Sequence, residues 1–313
     1  MIGVIVRRLL LAIPLMLIIS LIVFVLGTLA PGSVAESMLG SSATPEAVAE
    51  LNRQLGVDRP VLVQYAAWLQ GAVTGDLGMS ISGGRPVVEI LASRMAVTLS
   101  LAVGALLVAL LLGISIGVLA AVRGGLIGRA VEVLSVLVRG LPNFWLAMIA
   151  VLFFGVTLMW VPVSGYVSFG ESPIEWAHAL VLPVAVLGLS EAALIAIVTR
   201  AEMLSAMRSD YVRSVRANGY PWKRIVFKHI GKNAGGPVMT MTSLVFVGLL
   251  GGTILIEQIF AMPGLGAQMV ASTQTHDLPV IQGLAVFYTA MVVVVFLLTD
   301  VVHGILNPKV VAK

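Results

Sequence analysis

No cysteine occurs in the 313 residues, which excludes disulfides, thiolate metal sites and cysteine nucleophiles. Charge is scarce too, at 11% of residues with a net of +4, and so small an excess points to no nucleic acid. The chain has no G-x-x-x-x-G-K-[ST] phosphate loop and no H-E-x-x-H, and its four histidines (His178, His229, His276 and His303) are not spaced as metal ligands. No catalytic residue and no metal site are therefore expected. What the chain has is apolar length: 59% of its residues are hydrophobic, gathered in long runs that a soluble fold of this size could not bury. The composition is that of an integral membrane protein.

A helical span needs about 20 apolar residues, because about 30 Å of hydrocarbon is crossed at about 1.5 Å per residue. Six runs reach that length, at 9–30, 98–121, 141–161, 179–199, 234–256 and 278–299, and only the fourth carries a charge, Glu191. A barrel would show short alternating strands, so an all-α protein with six transmembrane helices is expected. Basic residues of short loops stay on the cytoplasmic side. With the N-terminus inside, fifteen Lys and Arg lie in the cytoplasm and four outside. Those four (Arg53, Arg59, Arg85 and Arg94) share segment 31–94 with six acids, and that segment is long enough to cross largely regardless of charge. Both termini are expected to be cytoplasmic.

Arg7 and Arg8 before an apolar run resemble a secretory signal, but the 22-residue run exceeds a signal core and no small-x-small cleavage site precedes Pro31. The first run reads as an uncleaved span. Three regions follow: 1–30 as tail and first span, 31–94 as an extracytoplasmic cap, and 95–313 as a core of five further spans with a cytoplasmic loop at 200–233. Within the cap, Thr44 is a fair N-cap with Pro45 at the first helical position, and Gly56 ends a helix after Leu51 and Leu55. A second short helix at 62–69 would turn Val61, Tyr65 and Trp68 to one side, suited to the headgroup level of the outer face.

Gly113-Ile114-Ser115-Ile116-Gly117 fits the G-x-S-x-G pattern of hydrolases, which needs a strand before it and a helix after it. Here it lies inside an apolar helix, where small residues four apart let backbones pack closely. Gly248 and Gly252 receive the same reading. The loop from Arg200 to Lys232 holds eight Lys or Arg (Arg200, Arg208, Arg213, Arg216, Lys223, Arg224, Lys228 and Lys232) against Glu202 and Asp210. Helix is tolerated at 208–215 and 222–230, whereas Asn218-Gly219-Tyr220-Pro221 breaks it, since Gly takes positive φ freely and Pro lacks the amide hydrogen. Tyr211, Val215, Trp222, Val226 and Phe227 offer apolar contacts among the basic residues. A loop of this charge also suits anionic headgroups.

The segment YVRSVRANGYPWKRIVFKHIGKN resembles the cytoplasmic loop of binding-protein-dependent ABC importer permeases, in their peptide and nickel branch. Asp210, Tyr211, Val212, Arg213, Arg216, Ala217, Gly219, His229 and Asn233 fall at matching places, while Ser214, Val215, Asn218 and Gly231 depart from the usual residues. Leu55-Gly56-Val57-Asp58-Arg59-Pro60 with Gln64-Tyr65, Gly75-Asp76-Leu77-Gly78-Met79-Ser80, Glu257-Gln258-Ile259-Phe260 with Pro263-Gly264-Leu265-Gly266, the span ending in Pro31-Gly32, and Asn307-Pro308-Lys309 extend the resemblance over nearly the whole chain. Their order is similar to the first of two permeases in a peptide importer.

That resemblance implies a type I importer fold in a bacterial or archaeal plasma membrane, with four kinds of neighbour: a second homologous permease, two ATP-binding subunits using ATP and Mg, an external substrate-binding protein and the bilayer. It implies ATPase coupling through Asp210, Tyr211, Arg213, Ser214, Val215, Arg216, Ala217, Asn218, Gly219, Tyr220, Pro221, Trp222 and Lys223, with the coupling helix at 214–223. Asp76, Pro263, Gly264, His276 and Asp277 are candidates to face the binding protein. Glu191, costly within a span, is either a translocation-pathway residue or half of an ion pair with an arginine on a neighbouring span. Glu257 and Asp300 suit structural roles at the membrane edges. Di- or oligopeptides are favoured as cargo, with nickel complexes, glutathione or another small solute as alternatives, because no His or Met cluster lines a span. An intramembrane serine protease built on Ser115 and a stand-alone channel or carrier are the other classes. The first lacks a histidine in another span, and the second commonly shows internal repeats that are absent here.

Overall fold

The computed structural model describes residues 2–29 and 34–306. Pro31-Gly32, Asn307-Pro308-Lys309 and Lys313 fall outside them. The helices, in chain order, are α1 (Ile2–Leu29), α2 (Val34–Leu39), α3 (Pro45–Leu55), α4 (Val61–Val73), α5 (Val87–Arg123), α6 (Gly125–Gly140), α7 (Asn143–Ala150), α8 (Pro173–Met207), α9 (Asp210–Ala217), α10 (Trp222–Arg224), α11 (Gly231–Ile259), α12 (Leu265–Gln274) and α13 (Leu278–Leu306). A π-helical stretch, Val151–Thr157, continues α7, and another, Ile225–Ile230, joins α10 to α11.

Among the described residues, five stretches are long and apolar enough to cross a membrane: Ile5–Leu29, Val87–Arg123, Pro173–Met207, Trp222–Ile259 and Leu278–Gly304. A sixth crossing is made only if Gly125–Gly140 and Asn143–Thr157, bent by 91° at their junction, count as one broken span. The run at 141–161 is therefore helical only over 143–157 and follows a helix that its apolar pattern did not announce. The cause is local: Pro142 cannot donate a helical hydrogen bond and pushes Leu141 out of the α region. Leu141 is extended, at φ −90° and ψ 129°.

The chain divides into two compact units. The first comprises Met1–Ile5, Thr98–Met262 and Val295–Lys313. Within it α8 packs on both α11 and α5, and glycine on α5 and α8 allows the second contact. A Cβ added at Gly113 would lie 2.8 Å from the Ala192 carbonyl oxygen, and one at Gly117 2.7 Å from that of Ala196. Gly188 of α8 returns the relation, meeting Val108 and the Ala105 oxygen of α5. The G-x-S-x-G segment is thus a packing surface, as small residues on membrane helices usually are. Gly252 touches Leu187 in the same manner, but among the described residues nothing lies within 4 Å of a Cβ at Gly248, so no packing is seen there. Polar bonds add register: Thr98 Oγ1 of α5 donates to the buried Glu257 carboxylate of α11 at 2.7 Å, and Ser243 of α11 meets Thr299 of α13 at 2.5 Å.

The second unit comprises Val6–Val97 and Pro263–Val294. Thr44 caps α3 by accepting from the Ala47 amide, and Gly56 ends it at φ +68°. On α4, Tyr65 bonds Ser20 at 2.8 Å, meets Phe24 edge-on and stacks on Trp68. The face of α4 that carries Tyr65 and Trp68 is held to α1 through Tyr65. Further along, Val87, Ile90 and Leu91 of α5 close a core with Leu265, Val280 and Leu284. Gly283 admits that approach, since a Cβ there would lie 2.5 Å from Val87.

Candidate functional site

The basic loop folds as helix, turn and helix. Asp210 in the first turn and Arg216 in the last turn of α9 both oppose the helix dipole favourably. The amphipathic spacing of Tyr211, Val212 and Val215 points one face inward, where Val212 is buried with Met203, Ile225, Val226, Ile230, Ala234 and Ala121. Tyr211 and Val215 pack on the same cluster, and the Tyr211 hydroxyl donates to the His229 carbonyl at 3.2 Å. This core draws on α5, α8, α9, the Ile225–Ile230 stretch and α11, so the inner face of α9 is fixed to the ends of three long helices.

The outer face is the reverse. Arg213, Ser214, Arg216 and Ala217 are exposed, as is the whole turn Asn218-Gly219-Tyr220-Pro221 and the Trp222, Lys223 and Arg224 that follow. Gly219 sits at φ +76°, with no atom within 4 Å of where a Cβ would stand. The glycine is required by backbone conformation alone, since only glycine takes that region without cost. Arginines dress the exposed aromatic rings: the Arg224 guanidinium lies 5.0 Å over Tyr220, and that of Arg216 5.7 Å over Trp222. Arg213 reaches Asp210 at 3.6 Å, but both side chains are largely in solvent, where such a pair contributes little.

Three expectations are corrected here. The single helix expected across 214–223 is interrupted by the Gly219 turn, and that stretch is shared between α9, which ends at Ala217, and α10, which begins at Trp222. Val226, expected on the surface, is buried, whereas Tyr220, Trp222 and Phe227 supply the exposed apolar area. Arg200 belongs to α8 instead of the loop, and pairs with Glu132 of α6 at 2.7 Å.

Of the residues expected to face a binding protein, Asp76 and Pro263 are exposed and Gly264 is buried. The Asp76 carboxylate accepts from the Gly78 amide at 2.8 Å and so shapes its own turn. Asp277 is 1% exposed, which removes it from any docking surface. Its carboxylate accepts from the hydroxyls of Ser80 at 2.6 Å and Ser82 at 2.7 Å, and from the amides of Ile81 and Ser82 at 3.2 Å each. His276 precedes it at φ +56°, a conformation uncommon for a side-chain-bearing residue and held by the bonds on either side. Sequence reasoning missed this clamp because its partners stand almost 200 positions away. The available signal was an aspartate ending a helix linker opposite a Ser-x-Ser in the cap.

Glu191 of α8 lies 3.7 Å from Arg139 at the end of α6. The ion-pair alternative is thereby met. Among the described residues, no group of three or more His, Asp or Glu side chains converges as a metal site.

With that geometry in hand, comparison with known proteins is direct. Residues 109–312 match the family model described as the inner membrane component of binding-protein-dependent transport systems, and residues 1–102 match the N-terminal model of the same membrane components. A putative peptide transport system permease protein of Brucella abortus (strain 2308) is 39% identical over 311 residues, covering 99% of both chains. The dipeptide transport system permease protein of Escherichia coli (strain K12) is 35% identical over 335 residues, again covering 99% of both. Among solved structures, an inward-facing MetNI methionine ABC transporter chain superimposes with a TM-score of 0.56 at 16% identity, covering 70% of this chain and 97% of that one.

Proposed function

The chain belongs to the family of inner membrane components of binding-protein-dependent transport systems, and from that premise we propose that it is one half of the translocation path of a peptide importer. Full-length likeness to peptide and dipeptide permeases supports the cargo. The partners in this reading are a second permease, two ATPase subunits that hold ATP and Mg, and an external binding protein. Both termini and the α9 turn face the cytoplasm.

The observation that carries the reading is the two-sided α9. Its outer face offers arginines, and the turn that follows offers Gly219 and the exposed rings of Tyr220 and Trp222, while its inner face is packed into the core that holds Ala121, Met203, Ile230 and Ala234. A push on the outer face therefore reaches α5, α8 and α11 together, which is what a rigid two-state lever needs. Nucleotide chemistry lies with the ATPase subunits, and this chain supplies the lever and the path. Asp210 to Ala217 form the helix that seats on the ATPase, and Asn218 to Lys223 set its exit. Glu191, held by Arg139, acts as a structural tie between α6 and α8.

Gly219→Val tests this reading. The space for a side chain exists but the φ of +76° does not suit one, so the substitution strains the turn by on the order of 1 kcal/mol or more without touching a span. ATP hydrolysis and peptide uptake are measured on one reconstituted preparation of the complete importer. Normal insertion with a lower ratio of uptake to hydrolysis, or loss of the ATPase subunits, is expected, and a wild-type ratio would refute the coupling role. Gly219→Asn should do less damage, since Asn tolerates left-handed backbone.

A further inference from the structure

Helix α6 divides its surface by chemistry. Gly128, Glu132, Ser135 and Arg139 recur at spacings of three and four, so they share one face, and Gly128 and Ser135 are buried there. That face meets α8, through the Glu132–Arg200 pair toward its cytoplasmic end and through the Arg139–Glu191 pair about two turns further on. The opposite face is apolar and open, with Leu126, Val133, Leu134 and Leu137 exposed, and lipid suits it.

The seam between the two helices has different needs. Glu191 stands at the middle of the 35-residue α8, about 25 Å from either end and inside the apolar run 179–199, so its pair lies at bilayer depth. The Glu191 side chain is 16% exposed, but that of Arg139 is 41% exposed. Their contact of 3.7 Å exceeds hydrogen-bond length, and among the described residues the guanidinium donates no hydrogen bond. An ionised side chain with free donors is costly against hydrocarbon and faces protein or water instead.

The backbone beside it makes the same demand independently. Gly140, Leu141 and Pro142 are exposed, and Leu141 is extended where α6 turns by 91° into α7. Among the described residues nothing lies within 4 Å of a Cβ at Gly140, so this chain does not cover the break. Non-helical backbone at bilayer depth is tolerated only inside protein or beside water, because lipid satisfies no amide or carbonyl. Charge pair and break adjoin, so both requirements fall on one spot.

We propose that this spot, Arg139 to Pro142 with Glu191 behind it, is the aqueous wall of the translocation path at its midpoint. Water and the polar solute it carries meet the guanidinium, Glu191 positions that guanidinium from the α8 side, and the apolar face of α6 is left to lipid. Charge favours water over a dry protein contact, since the pair is neutral as it stands and a partner would gain no counter-charge while having to satisfy the free donors. The placement rests on the importer reading, which requires a path but does not say which face lines it.

The test places single thiols in a chain that has none of its own. Arg139→Cys and Glu191→Cys report from the two sides of the seam, and Leu137→Cys reports from the opposite face of α6. Each variant is assembled with its partner subunits in lipid nanodiscs, which leave both membrane faces open, and treated with a charged methanethiosulfonate, the modification being read as mass added to this chain. The thiolate is the reactive form and it needs water, so a seam thiol should react about tenfold or more faster than Leu137→Cys, which should take only a lipid-soluble maleimide. A seam rate no different from that of Leu137→Cys overturns the proposal. Seam thiols modified only by the lipid-soluble reagent also overturn it and assign the seam to lipid, and seam thiols reached by neither reagent assign it to a dry interface with the second permease. Failure of both seam variants to assemble overturns it as well, by showing the pair to be a structural tie alone. No cargo enters this readout, so uptake of the dipeptide Ala-Phe by the unaltered importer is followed beside it. A water-reactive seam without Ala-Phe uptake upholds the wall and counts against peptide transport, whereas uptake with an unreactive seam overturns the wall alone.

Discussion

The turn after α9 and the corner at Asp277 carry charge in opposite ways. Around Gly219 the arginines and lysines project into solvent over exposed rings, with ion pairs that contribute little. At Asp277 a single carboxylate is sealed from water and receives four hydrogen bonds from Ser80, Ile81 and Ser82. The first arrangement is free to be met by another molecule. The second is already complete, and a buried charge with a full set of donors fixes structure instead of offering it. Equal interest from the sequence, where both looked like contact residues, divides into display and anchorage once burial is known.

The contrast can be broken most severely at the anchor. Asp277→Ala should destabilise the chain by on the order of 3 kcal/mol, because it strands several buried donors at once, and Asp277→Asn should cost less. A thermal melt of the purified chain reads both, and an unchanged midpoint for Asp277→Ala would dissolve the distinction. Next in size is Gly113→Val, which drives a side chain against Ile195 and the Ala192 carbonyl and should cost about 1–3 kcal/mol while separating α5 from α8. The display side predicts the smallest change: Arg213→Ala should leave the melting midpoint of the isolated chain unaltered, with any loss appearing only in the assembled importer.

A topological test sharpens the same contrast. The chain has no cysteine, so single thiols report cleanly. Ser42→Cys and Ser164→Cys, both at exposed positions, should react with an impermeant external reagent in intact cells, and Ser214→Cys should not. Labelling at Ser214→Cys from outside would invert the orientation inferred from the basic residues.

Legibility in the sequence followed the range of the interaction. Thr44 with Pro45, Gly56 and Gly219 act through neighbours within four residues, and each appears in the structure as its chemistry dictates. The long apolar runs were equally plain, since lipid demands them over their whole length. The 91° bend was also written locally, in Gly140-Leu141-Pro142-Asn143, but an apolar run concealed a break that proline imposes. Long-range partners were invisible: Glu257 with Thr98 and Asp277 with Ser80 depend on which helices meet, and for Glu191 the sequence suggested an arginine without saying that it was Arg139. For the same reason the basic loop could be counted, while the burial of Val226 and the exposure of Tyr220 had to come from the packed core beneath them.

The central claim, that the outer face of α9 meets an ATPase subunit, is tested most directly by cross-linking. Ser214→Cys places one thiol on that face, between the exposed Arg213 and Arg216 and opposite the buried Val212. The complete importer, purified from cells and treated with a short bifunctional thiol reagent after a cysteine scan of the ATPase surface, should yield a covalent adduct between this chain and an ATP-binding subunit. Failure of every ATPase position to capture Ser214→Cys, together with labelling of that thiol by a lipid-soluble reagent, would contradict the claim and assign the basic face to the membrane surface.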